Sequence, residues 1–112
     1  MKKLILAGLL VALSSVAFAD TFTLKNSIAP SIFYEVYISR SGSDDWSDEL
    51  LGDDDVIEPG ESMTFDVAIN LNSTTVDIVI IDQMGNNFAV TGRRVRNGGT
   101  VTITINDFVM PR

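Results

Sequence analysis

Nine carboxylates crowd into the stretch from Asp44 to Glu61 (Asp44, Asp45, Asp48, Glu49, Asp53, Asp54, Asp55, Glu58 and Glu61), and no lysine or arginine lies between Arg40 and Arg93. Oxygen ligands of this kind suit a hard cation such as calcium, and paired acids suit hydrolysis of the glycosidase type. For calcium the candidates are Asp53, Asp55 and Glu58 with a backbone carbonyl. The spacing is not that of an EF-hand, because Asp53-Asp54-Asp55-Val56-Ile57 lacks the third ligand position and the glycine after it. For hydrolysis, any two of the acids can be imagined at a useful separation. A domain this small also leaves little room for a deep cleft that would raise one acid's pKa, so no catalytic residue is assigned.

The third reading of the acidic stretch is structural. Ser43 caps a short helical turn through Leu51, Asp44 and Asp45 sit near its positive end, Trp46 meets Leu50 four residues on, and Gly52 is a left-handed stop. Trp46, Leu50 and Leu51 would then plug one open end of the fold while the carboxylates face water. This reading is preferred, because runs of like charge are ordinarily solvated surface.

Other chemistry is narrowed by what is missing. The chain has no histidine and no cysteine, which removes Ser-His-Asp and Cys-His nucleophiles, ordinary zinc sites and disulfides. Arg93, Arg94 and Arg96 form the one basic cluster. They are read either as a docking patch for an anionic partner or, in preference, as charges that offset the acidic stretch or solubilise an edge strand. Tyr34 and Tyr37 fall on opposite faces of one strand, so both cannot be core; an exposed aromatic there suits a carbohydrate- or protein-binding face.

The elements that must carry these residues are strands, because apolar and polar positions alternate. Phe22 and Leu24 share a face in the first run; Tyr34, Val36 and Ile38 share one in the second, against Phe33, Glu35 and Tyr37. Met63, Phe65, Val67 and Ile69 follow, then Val76, Ile78 and Ile80 opposite Asp77, Val79 and Ile81. With apolar residues on both faces, this fourth run reads as a central strand or one whose second face meets a partner. The runs NNFAVTGRRV, with a bulge at Gly92, and TVTITIN, with Val101, Ile103 and Ile105 inward, complete the set.

Glu58-Pro59-Gly60-Glu61 suits a type II turn, and Arg96-Asn97-Gly98-Gly99 and Asp82 to Asn87 are hairpin signals. Short strands joined by such turns predict an all-β fold: a small antiparallel β-sandwich, immunoglobulin-like or similar, of six to seven strands. The longest connection, from about Ser41 to Ser62, is a candidate to cross between sheets.

The ends set the compartment. Lys2 and Lys3, the apolar run Leu4 to Leu13 and the close Ala17-Phe18-Ala19 have the form of a bacterial Sec-type signal peptide. Residues 1–19 are therefore expected to be removed, leaving 20–112 as one β-sandwich domain in the periplasm or outside the cell. Loss of the two lysines leaves six basic against fifteen acidic residues, a formal charge of −9. Such a surface repels phosphate backbones and anionic lipids, so neither nucleic acid nor membrane insertion after cleavage is expected.

The order of features is also informative: Val36-Tyr37-Ile38-Ser39, then Trp46 to Asp54 as W-x-x-x-L-L-G-x-D, then Pro59 to Ser62 as P-G-E-S, then Asp82 to Gly85 as D-x-x-G. This resembles a group of short periplasmic or secreted bacterial β-proteins of uncharacterised function with a W-G-x-D-x-L-G core and a P-G turn. Ser47 stands where those proteins often have glycine, and the cysteines they often carry are missing here. The resemblance implies an exported β-domain and assigns no site residues. The resulting expectation is a non-enzymatic binding or structural module with another protein or an envelope component as partner and no cofactor. The alternative is a calcium-stabilised ligand-binding sandwich, for example a carbohydrate binder.

Overall fold

The computed structural model describes residues 19–109; apart from Ala19, the expected signal peptide lies outside the described residues. Six strands form: β1 (Asp20–Asn26), β2 (Phe33–Arg40), β3 (Ser62–Val67), β4 (Thr75–Asp82), β5 (Asn87–Arg94) and β6 (Gly99–Ile103). Two single 3₁₀ turns, Leu71–Ser73 and Ile105–Asp107, accompany them. The strands make two three-stranded sheets, ordered β3-β1-β6 and β2-β4-β5. This is the all-β sandwich that alternation and turn chemistry predict.

Three pairings are antiparallel, and β1 with β6 is parallel, Phe22 opposite Gly99 and Asn26 opposite Ile103. A parallel pair needs a long crossover, and here the whole chain between the first and last strand supplies it. The 96–99 turn forms as its residues require, with Gly98 at φ +85° and the Gly99 N–H donating to the Arg96 carbonyl (2.8 Å). It is not a hairpin, however, because β5 and β6 lie in different sheets and the turn carries the chain across. The 83–86 loop is a true hairpin connection between β4 and β5.

One apolar core fills the space between the sheets. Phe22 and Leu24 from β1 meet Val36 and Ile38 from β2, Val76, Ile78 and Ile80 from β4, and Val101 and Ile103 from β6, all essentially without exposure. Each such side chain contributes about 1.5–3 kcal/mol when removed from water, the principal stabilising term in a chain with no disulfide. As the two-faced apolar pattern implies, β4 is the central strand of its sheet. Its outer residues Val79 and Ile81 are half-buried beside Tyr37, Ala89 and Asn87 of the flanking strands.

Two bulges adjust the alternation. At Gly92, φ +60°, an extra residue enters β5 against Val76 and Ile78, and the Gly92 N–H donates to Asp77 Oδ1 (2.8 Å). The second lies between Phe33 and Glu35 and overturns the expected faces at the start of β2, while Val36 and Ile38 face inward against Glu35 and Tyr37 as expected. Phe33 is buried together with Val36 and Ile38, while Tyr34, expected on their face, is exposed. A one-residue slip exchanges faces, and the bulge introduces that slip after Phe33. Ile105 also departs from expectation: β6 ends at Ile103, and Thr104 caps the following 3₁₀ turn through the Asn106 N–H, leaving Ile105 exposed.

Among the described residues, every buried side-chain nitrogen and oxygen has a hydrogen-bond partner. At the end of β1, the Asn26 side-chain amide donates to the carbonyls of Ser31 (2.7 Å) and Ile57 (2.9 Å), and its oxygen accepts the Ile28 N–H (2.9 Å). Ser31 Oγ then donates to Asp82 Oδ2 (2.7 Å) at the end of β4. Replacing Asn26 with Ala strands the Ile28 N–H and the Ser31 carbonyl inside the protein, at about 1–3 kcal/mol for each group left unpaired, while the Ile57 carbonyl keeps its bond from the Phe33 N–H. Urea denaturation is expected to show a loss of at least about 2 kcal/mol for Asn26→Ala, whereas Thr23→Ala on the outer face stays within about 1 kcal/mol.

Candidate functional site

The acidic connection is not helical. Residues 47–57 run along the outer edge of β2 and complete its hydrogen bonding. The Ser47 N–H donates to the Ile38 carbonyl (2.8 Å), the Leu50 N–H to the Val36 carbonyl (2.9 Å), and Ile57 and Phe33 exchange both backbone bonds (3.0 and 3.1 Å). Where backbone carbonyls do not reach, side chains substitute. Ser47 Oγ accepts the Ile38 N–H (3.1 Å), and Glu49 Oε2 accepts the N–H groups of Val36 (3.0 Å) and Leu51 (2.6 Å).

The expected cap at Ser43 does form, its Oγ accepting the Asp45 N–H (2.9 Å), but no helix follows it. An open strand edge needs partners for its backbone groups, and the amides a helix would have used are committed to β2. Gly52 is correspondingly not left-handed; its carbonyl accepts the Asp55 N–H in a turn. Pro59-Gly60 does form the predicted turn, with Gly60 at φ +89° and the Glu61 N–H bonded to the Glu58 carbonyl (2.9 Å).

The plug expected from Trp46, Leu50 and Leu51 is reduced to its last member. Leu51 is buried, Leu50 packs at the margin of the core, and Trp46 is 42% exposed. The extended path is the reason: it spaces these side chains along an edge instead of gathering them on one helical face.

Asp53, Asp55 and Glu58, the residues expected to hold calcium, all face solvent. Asp55 Oδ2 accepts the Gly52 N–H (3.3 Å), and the Glu58 N–H is taken by Glu61 Oε1 (3.0 Å). Among the described residues, no group of three or more carboxylates is gathered closely enough to hold a metal ion. Arg93, Arg94 and Arg96 are exposed on and just after β5, and Arg94 donates to the Asn72 carbonyl (3.3 Å).

Trp46 stands instead at a cleft of about 250 Å³. One wall is Arg40 at the end of β2 and Asp45 to Ser47 of the edge segment; the other is Asp66 to Ile69 at the end of β3. Leu50 and Ile69 supply apolar floor, backed by buried Ile38 and Val67. An indole, two carboxylates and one guanidinium thus surround an apolar hollow where the two sheets part. The arrangement suits recognition: an aromatic plate to stack on and a few polar groups to orient what stacks. Sequence reading missed it because its second wall comes from residues some twenty positions downstream. The only local signal, an isolated tryptophan among aspartates, also fits a core residue.

Two ionisable groups elsewhere are displaced from their ordinary range. Burial alone would raise Asp82, but hydrogen bonds from the Ser31 hydroxyl, the Asn86 N–H and side-chain amide and the Met84 N–H outweigh it and hold the pKa below the usual value. That is the reverse of a poised general acid. Tyr37, on the outer face of β2, donates to Glu35 Oε1 (2.7 Å); that bond first, then burial and the charges of Glu35 and Glu49, raise its pKa to about 12.

No protein-family model matches the chain, and no match is found among curated proteins or solved structures.

Glu49→Ala should remove the acceptor for the Val36 amide of β2 and the Leu51 amide of the edge segment and lower stability by about 2–3 kcal/mol in thermal or urea unfolding, with Glu49→Gln recovering part of it. For Tyr37 the folded pKa lies above the ordinary value of 10.0, so its stabilising contribution is complete below pH 10 and is lost as pH rises through about 12. Ultraviolet titration should show this phenol ionising only near pH 12 in the folded protein, and earlier in Glu35→Gln.

Proposed function

We propose that the chain is exported and that its β-sandwich is a non-catalytic binding module, engaging another protein or an envelope component through the cleft beside Trp46. The observation that carries this reading is the exposure of Trp46, 42%, at a cleft with an apolar floor. Large aromatics that meet a pocket and polar groups at once are the usual anchors of recognition surfaces, because covering them releases much apolar area at little entropic cost. The loop that presents Trp46 is also rigid for its length, since Ser47, Leu50 and Ile57 are tied to β2 by backbone bonds. A preordered loop loses little freedom when a partner docks.

Support for a binding rather than catalytic role comes from the acids themselves. Among the described residues the one buried acidic side chain, Asp82, is saturated with hydrogen bonds, and Glu49 is occupied by two backbone amides. The leader-like first nineteen residues and the excess of acidic side chains support an extracytoplasmic, soluble life.

Immobilised protein should retain an envelope component from a periplasmic extract, and Trp46→Ala should lose at least about tenfold in retention with its melting temperature unchanged. Equal retention by both proteins would discard the cleft as the binding site.

A further inference from the structure

Resting on that reading of the cleft, we propose that its occupant is a cationic side chain with a long apolar stem, of the lysine or arginine type, presented by a basic peptide segment of the partner. The size of the hollow, about 250 Å³, is below that of pockets built for larger organic ligands and admits one side chain or one sugar ring. Its layout separates two chemistries along one path. Leu50 and Ile69 form an apolar track for methylene groups, while Asp45 and Asp66 approach from different segments of the chain and line it with negative charge. The half-exposed indole of Trp46 lines the same cleft, and of the aromatic side chains indole attracts a cation most strongly.

Charge complementarity then selects the cation over a neutral ring. Among the described residues, Arg40 is the single basic one lining the cleft against two carboxylates, and exposed Asp44 and Asp48 lie beside the wall that holds Asp45 and Trp46. The wider field points the same way, with nine carboxylates between Asp44 and Glu61 and no compensating base among them. Such a surface draws cations in and repels anions. Arg40 takes opposite roles for the two kinds of occupant. Toward a bound cation it is a like charge that weakens binding; toward sugar hydroxyls it is a hydrogen-bond donor that strengthens it.

The chain's single tryptophan makes Trp46 emission a direct reporter of the cleft. The probes are a blocked hexapeptide of alternating glycine and lysine, the same peptide with norleucine for lysine, and a neutral hexasaccharide. The lysine peptide is expected to shift Trp46 emission saturably, with affinity falling as salt rises and no comparable response to the norleucine peptide. Combined Asp45→Asn and Asp66→Asn should weaken it about tenfold, and Arg40→Ala should tighten it about threefold. These three positions are exposed, so the variants keep the wild-type melting temperature. Equal binding of the norleucine peptide, or weaker lysine-peptide binding in Arg40→Ala, overturns the cation. A response to the hexasaccharide alone overturns the cation but leaves the binding cleft standing. Silence of Trp46 toward all three probes overturns the cation, whereas the cleft itself stands or falls on the retention difference between wild type and Trp46→Ala.

Discussion

The side chain of Asn26, wholly enclosed, is the point on which the two sheets are held in position. Its amide and carbonyl bind three backbone groups, from Ile28, Ser31 and Ile57, and its own backbone is paired with Gly60 and Glu61. One residue therefore joins the end of β1, the loop into β2 and the turn into β3. Through Ser31 the same chain of bonds reaches Asp82 and so the end of β4 in the opposite sheet. Buried polar groups are costly unless all are satisfied, and a satisfied network admits only one arrangement of the segments that supply it. In a protein with no disulfide, such a network gives the orientation that non-directional apolar burial does not.

The position of the acidic connection follows from that anchor. Ile57 is held by Asn26 on one side and paired with Phe33 on the other, so the chain leading up to it must lie along β2. The path is geometrically irregular, and Ser47 and Glu49 side chains supply the acceptors where the backbone falls out of step. The edge of β2 is thereby closed to other strands, a common hazard of small sheets. Its closure leaves Trp46 on the outside, against the end of β3. Protection of an edge and presentation of an aromatic are in this way products of one segment.

Much of the scaffold was legible residue by residue. Alternation located all six strands, Pro59-Gly60 marked its turn and Gly92 its bulge, because each rests on local sterics that neighbours do not change. Alternation failed at Tyr34, where a bulge shifted the faces, and at Ile105, where a 3₁₀ cap ended the strand. The Asn97-Gly98 turn was recognisable, but which sheets it joined was not, since turn chemistry specifies local conformation and leaves the partner of the next strand open.

The candidate site was the least legible part. From the sequence, Ser43 to Leu51 satisfies the local conditions for a capped helical turn, with Trp46 and Leu50 at helical spacing. The residues by themselves determined the strand pattern, the turns, the absence of histidine and cysteine chemistry and the strong negative charge, all of which depend on composition or near neighbours. Only the tertiary structure decided that the acidic stretch is extended, that Glu49 completes an edge and that Trp46 meets Asp66 and Ile69 at a cleft. The reason is that an unpaired strand edge is a long-range demand for hydrogen bonds. Its claim on the backbone of residues 47–57 outweighs the weaker local preference of the same residues for a helical turn.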